Sequence, residues 1–167
     1  MHISEELDFT PDQIFDLYEN ACWNSYWKDK DKLWESIQKS LLVVTYRENE
    51  EILGYARILG DGVFTILIQD LIVKNTMQRR SIGFNIISHI LNKYKDVRQV
   101  LLICDKEEKL MRFYKKCGLV EIQELNANCF AILRWRLCNF VLTITSSWQR
   151  YVTESAGSLH SPALSAP

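Results

Sequence analysis

Gln78-Arg79-Arg80-Ser81-Ile82-Gly83 brings together the residue types that hold a phosphorylated ligand. Asp70-Leu71-Ile72-Val73 ahead of it is an apolar strand, and the segment through Leu91 carries the stripe of a helix. A strand that runs through a short loop into a helix leaves backbone N–H groups unpaired and aimed one way. The helix dipole adds partial positive charge at that end, which makes the loop a seat for phosphate. Gly83 has no Cβ, so backbone there can approach a ligand closely. Arg79 and Arg80 add planar, permanently charged donors. A nucleotide-hydrolysing P-loop would need GxxxxGK[ST], and that string is missing.

Thr10-Pro11-Asp12-Gln13 is a capping box with proline at the first helical position, and its helix places Ile14, Leu17, Tyr18 and Ala21 on one face. The spacing predicts a second helix over Lys30 to Lys39, with Leu33, Trp34 and Ile37 inward. Strands follow at Leu41 to Arg47, Glu51 to Leu59 and Val63 to Val73, the last long enough to be bulged midway. The turns between them are Glu48-Asn49-Glu50 and Gly60-Asp61-Gly62. After the arginine loop, Ile86, Ile87, Ile90, Leu91 and Tyr94 keep helical period. Gln99 to Cys104 reads as a buried parallel strand, and Asp105 with Glu108 as the cap of a helix presenting Leu110, Phe113, Tyr114 and Cys117. Two more strands fit Leu119 to Glu124 and Asn128 to Arg134. This order predicts an α/β (α+β) fold, a mixed sheet with helices on both faces.

The chain of 167 residues has ordinary globular composition and a net charge of −1, so it has no global pull on nucleic acid or anionic membrane. Its basic residues are not interleaved with stacking aromatics, which excludes a nucleic-acid module. Charge is nevertheless polarised: residues 1–40 carry a balance of −5 and residues 74–116 one of +7. That pattern suits an enzyme joining a phosphorylated donor to an amine, or simply two solvated faces of opposite sign. The five cysteines lack CxxC spacing, so no metal site is expected, and buried thiols of a reducing compartment fit them best. No signal peptide or membrane span is expected, and the location predicted is cytoplasmic.

The element order, the Gln78-x-x-Ser81-x-Gly83 loop and Phe113-Tyr114-Lys115-Lys116-Cys117-Gly118-Leu119 together resemble the GNAT superfamily of acyl-CoA-dependent N-acetyltransferases. Gly54-Tyr55-Ala56-Arg57 with Gly60-Asp61-Gly62 adds to the resemblance, which covers roughly residues 3 to 134. It implies a mostly antiparallel sheet with a splayed central strand pair and acetyl-CoA as co-substrate. Residues 1–134 would be the acetyltransferase domain, 135–152 an apolar extension of unclear packing, and 153–167 a disordered tail.

By the same resemblance the pantetheine arm pairs with the backbone of Leu71, Ile72 and Val73. The diphosphate lies on the amides of Gln78, Arg79, Arg80, Ser81, Ile82, Gly83 and Phe84. Ser81 stands where the family usually has glycine, and binding then depends on its φ staying negative. Tyr114 matches the tyrosine that protonates the departing thiolate, with a core aromatic as the alternative. Oxyanion stabilisation is expected from a backbone N–H near Ile72. Asp70 is a candidate general base, substrate anchor or structural acceptor, and Asp61 a turn residue. Trp23, Tyr26 and Trp27 fall where the family builds its acceptor wall, or else they fill the core; Trp34 is assigned to the core and His89 to a structural role. The function implied is acetyl transfer to a primary amine, on a small molecule or peptide, by direct attack in a ternary complex. The alternative is an acyl-CoA-binding relative without turnover. A homodimer is left open.

Overall fold

A computed structural model describes residues 1–23, 26 and 28–132. Trp27, Arg134 and the segments expected at 135–152 and 153–167 lie outside the described residues. Met1–Asn128 forms one compact unit, and the account below concerns it.

Strand β1 is His2–Ser4, followed by helices α1 (Pro11–Asn20) and α2 (Lys30–Gln38). The capping box at Thr10 forms as expected, with Gln13 N–H donating to Thr10 Oγ1 at 3.4 Å and Thr10 N–H donating to Gln13 Oε1 at 2.9 Å. Asp29 caps α2 by accepting from the Lys32 amide at 3.2 Å. Strands β2 (Leu42–Glu48), β3 (Glu51–Gly60) and β4 (Thr65–Val73) then form two hairpins. The second turn is held by Asp61, whose Oδ1 accepts from the amides of Val63, Phe64 and Thr65 at 2.8, 2.8 and 3.0 Å. Helix α3 (Ile82–Lys93) crosses to β5 (Gln99–Leu102), and α4 (Glu108–Lys116) follows.

The sheet has five strands in the order β1-β2-β3-β4-β5. All neighbours are antiparallel except β4 and β5, which run parallel because a helix crossover joins them. The bulge expected midway along β4 is present: Arg57 faces Asp70 while Ile58 faces Ile68, so Gln69 is an extra residue. Its effect is to reverse which face each later side chain meets. Ile66 and Ile68 belong to the core under α3, whereas Ile72 belongs to the core under α1 and α2. Leu71 and Val73 join the α3 side. One inserted residue thus turns Gln69 and Asp70 toward the helix pair that precedes the sheet.

Ile82, Ile86, Ile87 and Ile90 are buried along α3, each worth about 1.5–3 kcal/mol of apolar transfer. Gly54 allows the close approach of α3 to the sheet: a Cβ there would stand 2.7 Å from Ile82 Cγ2 and 2.9 Å from Ile86 Cδ1.

Several expectations are corrected. Leu119 to Glu124 is not a strand; a 3-10 turn covers Ile122–Leu125, and residues through 132 are irregular. The family-like pattern of alternating apolar residues there finds no partner strand among the described residues. Helix α4 begins at Glu108 with Glu107 as its cap residue and no capping side chain, rather than at Asp105. Strand β1 was too short to announce itself by period. The cysteines among the described residues are not buried: Cys22, Cys104 and Cys129 are exposed and Cys117 is intermediate.

Candidate active site

The parallel pairing of β5 to β4 ends at Leu102 opposite Ile68, so Gln69 to Val73 has no β5 neighbour. Hydrogen bonding on the other side shows which groups this leaves open. Lys74 N–H donates to the Leu53 carbonyl at 2.9 Å, and antiparallel alternation then turns the amide and carbonyl of Ile72 toward β3. Leu71 and Val73 therefore direct theirs away from β3. Ile72, expected with them as a backbone contact and as the oxyanion donor, is corrected: its backbone serves the sheet and its side chain is in the α1 core. The Val73 carbonyl accepts from Gln78 Nε2 at 3.5 Å, tying the loop to the end of the strand.

A 3-10 turn at Asn75–Met77 leads into the loop. Arg79 has φ of 61° and Ser81 φ of 61°, while Arg80 between them and Ile82 after them keep negative φ. Alternation of this kind curls successive N–H groups onto one concave side, a nest for an anion. The first α3 bond is Asn85 N–H to the Ser81 carbonyl at 2.8 Å, so the amides of Ile82, Gly83 and Phe84 have no partner within the helix. Arg79 and Arg80 are exposed. The expectation of a negative φ at Ser81 is corrected: it adopts the positive φ that would best suit glycine, at a cost of about 1–2 kcal/mol, and that sign is what completes the alternation with Arg79. Gly83 works differently from expectation. A Cβ there would meet Phe113 Cζ at 3.3 Å and Val73 Cγ2 at 3.5 Å, so its missing side chain admits neighbouring side chains.

Those contacts bring β4, the start of α3 and α4 together. Tyr114 is beside Phe113 in an edge-on ring contact at 5.0 Å, within the α3-side core. Burial, and then the nearby Cys104 and Cys117 thiols, push its phenol above the ordinary tyrosine value. It stays protonated at neutral pH. Cys104 follows the end of β5, where the two parallel strands part. Partial desolvation raises the Cys104 and Cys117 thiols as well.

On the opposite face, Asp70 is 1 % exposed. Its Oδ2 accepts from Arg57 Nε at 2.6 Å and from the Tyr18 hydroxyl at 2.7 Å. Arg57 Nη1 also donates to the Ser36 carbonyl at 3.2 Å. Asp70 Oδ1 and the Tyr55 hydroxyl are buried without a hydrogen-bond partner among the described residues. Burial raises the Tyr18 and Tyr55 phenols, with Tyr55 and Asp70 adding to the rise at Tyr18 and Asp70 adding to it at Tyr55. The Asp70 carboxylate is thus enclosed and ion-paired within the fold, with one oxygen taken by Arg57 and Tyr18. Through Asp70 Oδ2 and the Arg57 guanidinium, these three hydrogen bonds join α1, α2, β3 and β4. Tyr18 and Arg57, missed in the sequence as a unit, had a signal: a polar tip in an apolar stripe must find a partner.

Trp23 and Tyr26 pack at 5.8 and 5.6 Å from the Tyr18 ring and 5.8 Å from each other, half-buried at the edge of this core. The Tyr26 hydroxyl accepts from Gln69 Nε2 at 3.3 Å, so the aromatic segment is tethered to the bulge. Trp34 meets Phe9 edge-on at 6.2 Å. His89 pairs with Glu5 at 2.8 Å, a structural contact between α3 and the segment after β1. Among the described residues no group of three or more His, Cys, Asp or Glu could hold a metal ion, and no helix is long and apolar enough to cross a membrane.

Known proteins share this architecture. A GNAT-family acetyltransferase from Streptococcus pneumoniae superimposes with a TM-score of 0.71 at 23% identity, over 80% of this chain and 97% of that one. A protein of unknown function from meticillin-resistant Staphylococcus aureus gives 0.64 at 23% identity, over 79% and 98%. An aminoglycoside 6'-N-acetyltransferase solved with coenzyme A gives 0.58 at 17% identity, over 71% and 84%. At these identities the likeness is one of fold. No curated protein matches the sequence. The model of the acetyltransferase (GNAT) domain matches residues 5–129, three quarters of the chain, and by that match the chain belongs to the GNAT acetyltransferase family.

Proposed function

We propose that the chain is an acyl-CoA-dependent N-acetyltransferase that moves an acetyl group from acetyl-CoA to a primary amine by direct attack in a ternary complex. The observation that carries this reading is the continuity of three features. The open backbone of Leu71 and Val73 leads into the nest at Arg79 to Ser81, and Tyr114 flanks the gap where β4 and β5 separate.

Acetyl-CoA supplies an activated thioester and departs as the thiol. Leu71 and Val73 offer N–H groups along which an extended amide-bearing arm can pair as an added strand. The amides of Ile82, Gly83 and Phe84, with those of Gln78, Arg79, Arg80 and Ser81, receive the diphosphate, and the two guanidinium groups neutralise it. The Leu71 N–H is the donor we assign to charge developing on the carbonyl oxygen, in place of Ile72. Tyr114, kept protonated by its burial, delivers a proton to the departing sulfur. Asp70 takes the structural role among its three alternatives, tying Arg57 and Tyr18 into the sheet, while its neighbour Gln69 tethers Tyr26 beside the acceptor approach. The acceptor is an amine on a small molecule or peptide, and Trp23 and Tyr26 contribute its aromatic wall. The free cysteines Cys22, Cys104, Cys117 and Cys129 suit a reducing, cytoplasmic setting.

Coenzyme A release would be followed with a panel of amines, including a polyamine, an aminoglycoside and a peptide amino terminus, beside acetyl-CoA binding by calorimetry. Turnover with at least one amine supports the enzyme. Ser81 at positive φ favours a second reading, a coenzyme A-binding relative without turnover. Binding with no turnover across the panel selects it, and no binding rejects both.

A further inference from the structure

Helices α1 and α3 pack on opposite faces of the sheet, yet two asparagines join their ends around the end of β4. The last four carbonyls of a helix need partners from outside its ladder. In α1 the Leu17, Glu19 and Tyr18 carbonyls accept from the amides of Ala21, Cys22 and Trp23, which follow directly in the chain. The fourth, Asn20, accepts instead from Asn75 Nδ2 at 2.7 Å, across 55 positions of sequence. Asn75 opens the 3-10 turn that leads into the loop, where its own amide has no partner inside the turn, and that amide donates to Asn20 Oδ1 at 2.9 Å. Each asparagine thus completes the other's element. On its far side, Asn75 Oδ1 accepts from Gln78 Nε2 at 3.0 Å, and Gln78 immediately precedes the positive-φ Arg79 of the nest.

We infer that Asn75 is a positioning residue, which sets the aromatic wall at Trp23 according to the state of the phosphate loop. The inference rests on the acetyl-CoA reading above. A diphosphate seated on the amides from Gln78 onward restrains Gln78, and through it the Asn75 side chain. A planar amide that accepts at one end and donates at the other carries orientation, because turning it to suit one partner breaks its bond to the second. Asn75 in turn holds the last residue of α1. From there the chain reverses at Cys22, whose φ is 58°, and the Trp23 amide returns to the Tyr18 carbonyl at 3.0 Å. Trp23 therefore hangs on the same helix end that the clasp fixes, and its surroundings change when the loop is occupied.

The test follows the fluorine resonance of Trp23 in the full chain labelled with fluorotryptophan, assigned by Trp23→Phe, as coenzyme A is added. Calorimetry on the same samples gives the affinity. Saturation should shift or sharpen the Trp23 line of the unaltered chain. Asn75→Ala and Asn20→Ala should each remove about half or more of that response while coenzyme A affinity stays within about three-fold, since only exposed hydrogen bonds are lost. Asn20→Asp keeps an acceptor for the Asn75 amide and should restore the response. A Trp23 line that bound coenzyme A leaves unmoved overturns the inference, and so does a full response in either alanine variant. Abolished coenzyme A binding in Asn75→Ala would make Asn75 part of the phosphate seat and overturn its positioning role. An unaltered chain that binds no coenzyme A overturns the acetyl-CoA reading, and this inference with it. Asn20→Ala puts a strong helix former at the end of α1, so it decides the question even where Asn75→Ala fails to fold.

Discussion

The two sides of β4 present polar groups by different means. On the α3 side, the nest at Arg79 to Ser81 and the first turn of α3 are built from main-chain amides, set by the φ signs of four consecutive residues. On the α1 side, a carboxylate, a guanidinium and two phenols meet from residues 13 to 52 positions apart in the chain. The first arrangement is open, its amides unpaired within the helix. The second is closed on itself, and most of its charge is spent within the fold. Local backbone geometry shapes the first, whereas a long-range side-chain network closes the second and holds the sheet to α1 and α2.

The largest effect is expected where the closed network is broken. Asp70→Ala leaves Arg57 buried without its partner, and urea unfolding should show a loss of about 3–5 kcal/mol. Replacing both, with Arg57→Met and Asp70→Leu, should recover most of that. If Asp70→Ala were stable but catalytically dead, Asp70 would belong to the chemistry and the contrast between the two sides would fail.

On the open side, Tyr114→Phe should lower turnover about a hundred-fold while leaving acetyl-CoA affinity unchanged, as expected for a proton donor used only at the leaving step. The raised phenol gives a further expectation. Turnover should not fall between neutral and moderately alkaline pH through loss of the Tyr114 proton, and an alkaline limb abolished by Tyr114→Phe would contradict it.

Ser81→Gly should be smaller and of opposite sign. It relieves the positive-φ strain of a residue with a Cβ, offset in part by the greater chain entropy of glycine, for a net gain of about 0.5–1 kcal/mol in stability. Coenzyme A affinity should rise a few-fold with it. Weaker binding in S81G would mean that the serine side chain contributes to the anion seat.

The smallest effect concerns the N-terminal clasp. Burial raises the Glu5 carboxyl, but hydrogen bonds from Lys93 and His89 outweigh it, so the group titrates below the ordinary glutamate value. A depressed folded-state value means stability that is present above the unfolded value and is lost as pH falls through the folded one. Thermal melts below pH 5 should therefore decline less steeply in Glu5→Gln, by a few tenths of a kcal/mol for a half-exposed pair.

These contrasts follow how far each feature could be seen from the residues alone. The capping box at Thr10, the bulge in β4 and the strand–loop–helix at Asp70 to Leu91 are local, and each has a short-range signal. Asp70 was visible as a polar residue in an apolar strand, but not its ties to Tyr18 and Arg57, because those depend on how α1 lies across the bulged sheet. The positive φ of Ser81 was hinted at only by the glycine usual at that place in the family, since serine itself does not advertise it. Residues 119–124 alternate as a strand would, yet a strand needs a neighbour, and the outer edge of β5 has none among the described residues. Tyr114 was placed by resemblance; its burial beside Phe113 came from packing.

The central claim is that main-chain amides of the loop and of the β4 edge bind coenzyme A. Titrating the isotopically labelled chain with coenzyme A and following backbone amide resonances tests it directly. The account predicts that Leu71, Val73, Ser81, Ile82, Gly83 and Phe84 shift most, while Ile72, whose amide faces β3, shifts little. Binding that leaves the 78–84 amides unmoved, or shifts centred on the Asp70–Arg57 side, would contradict it.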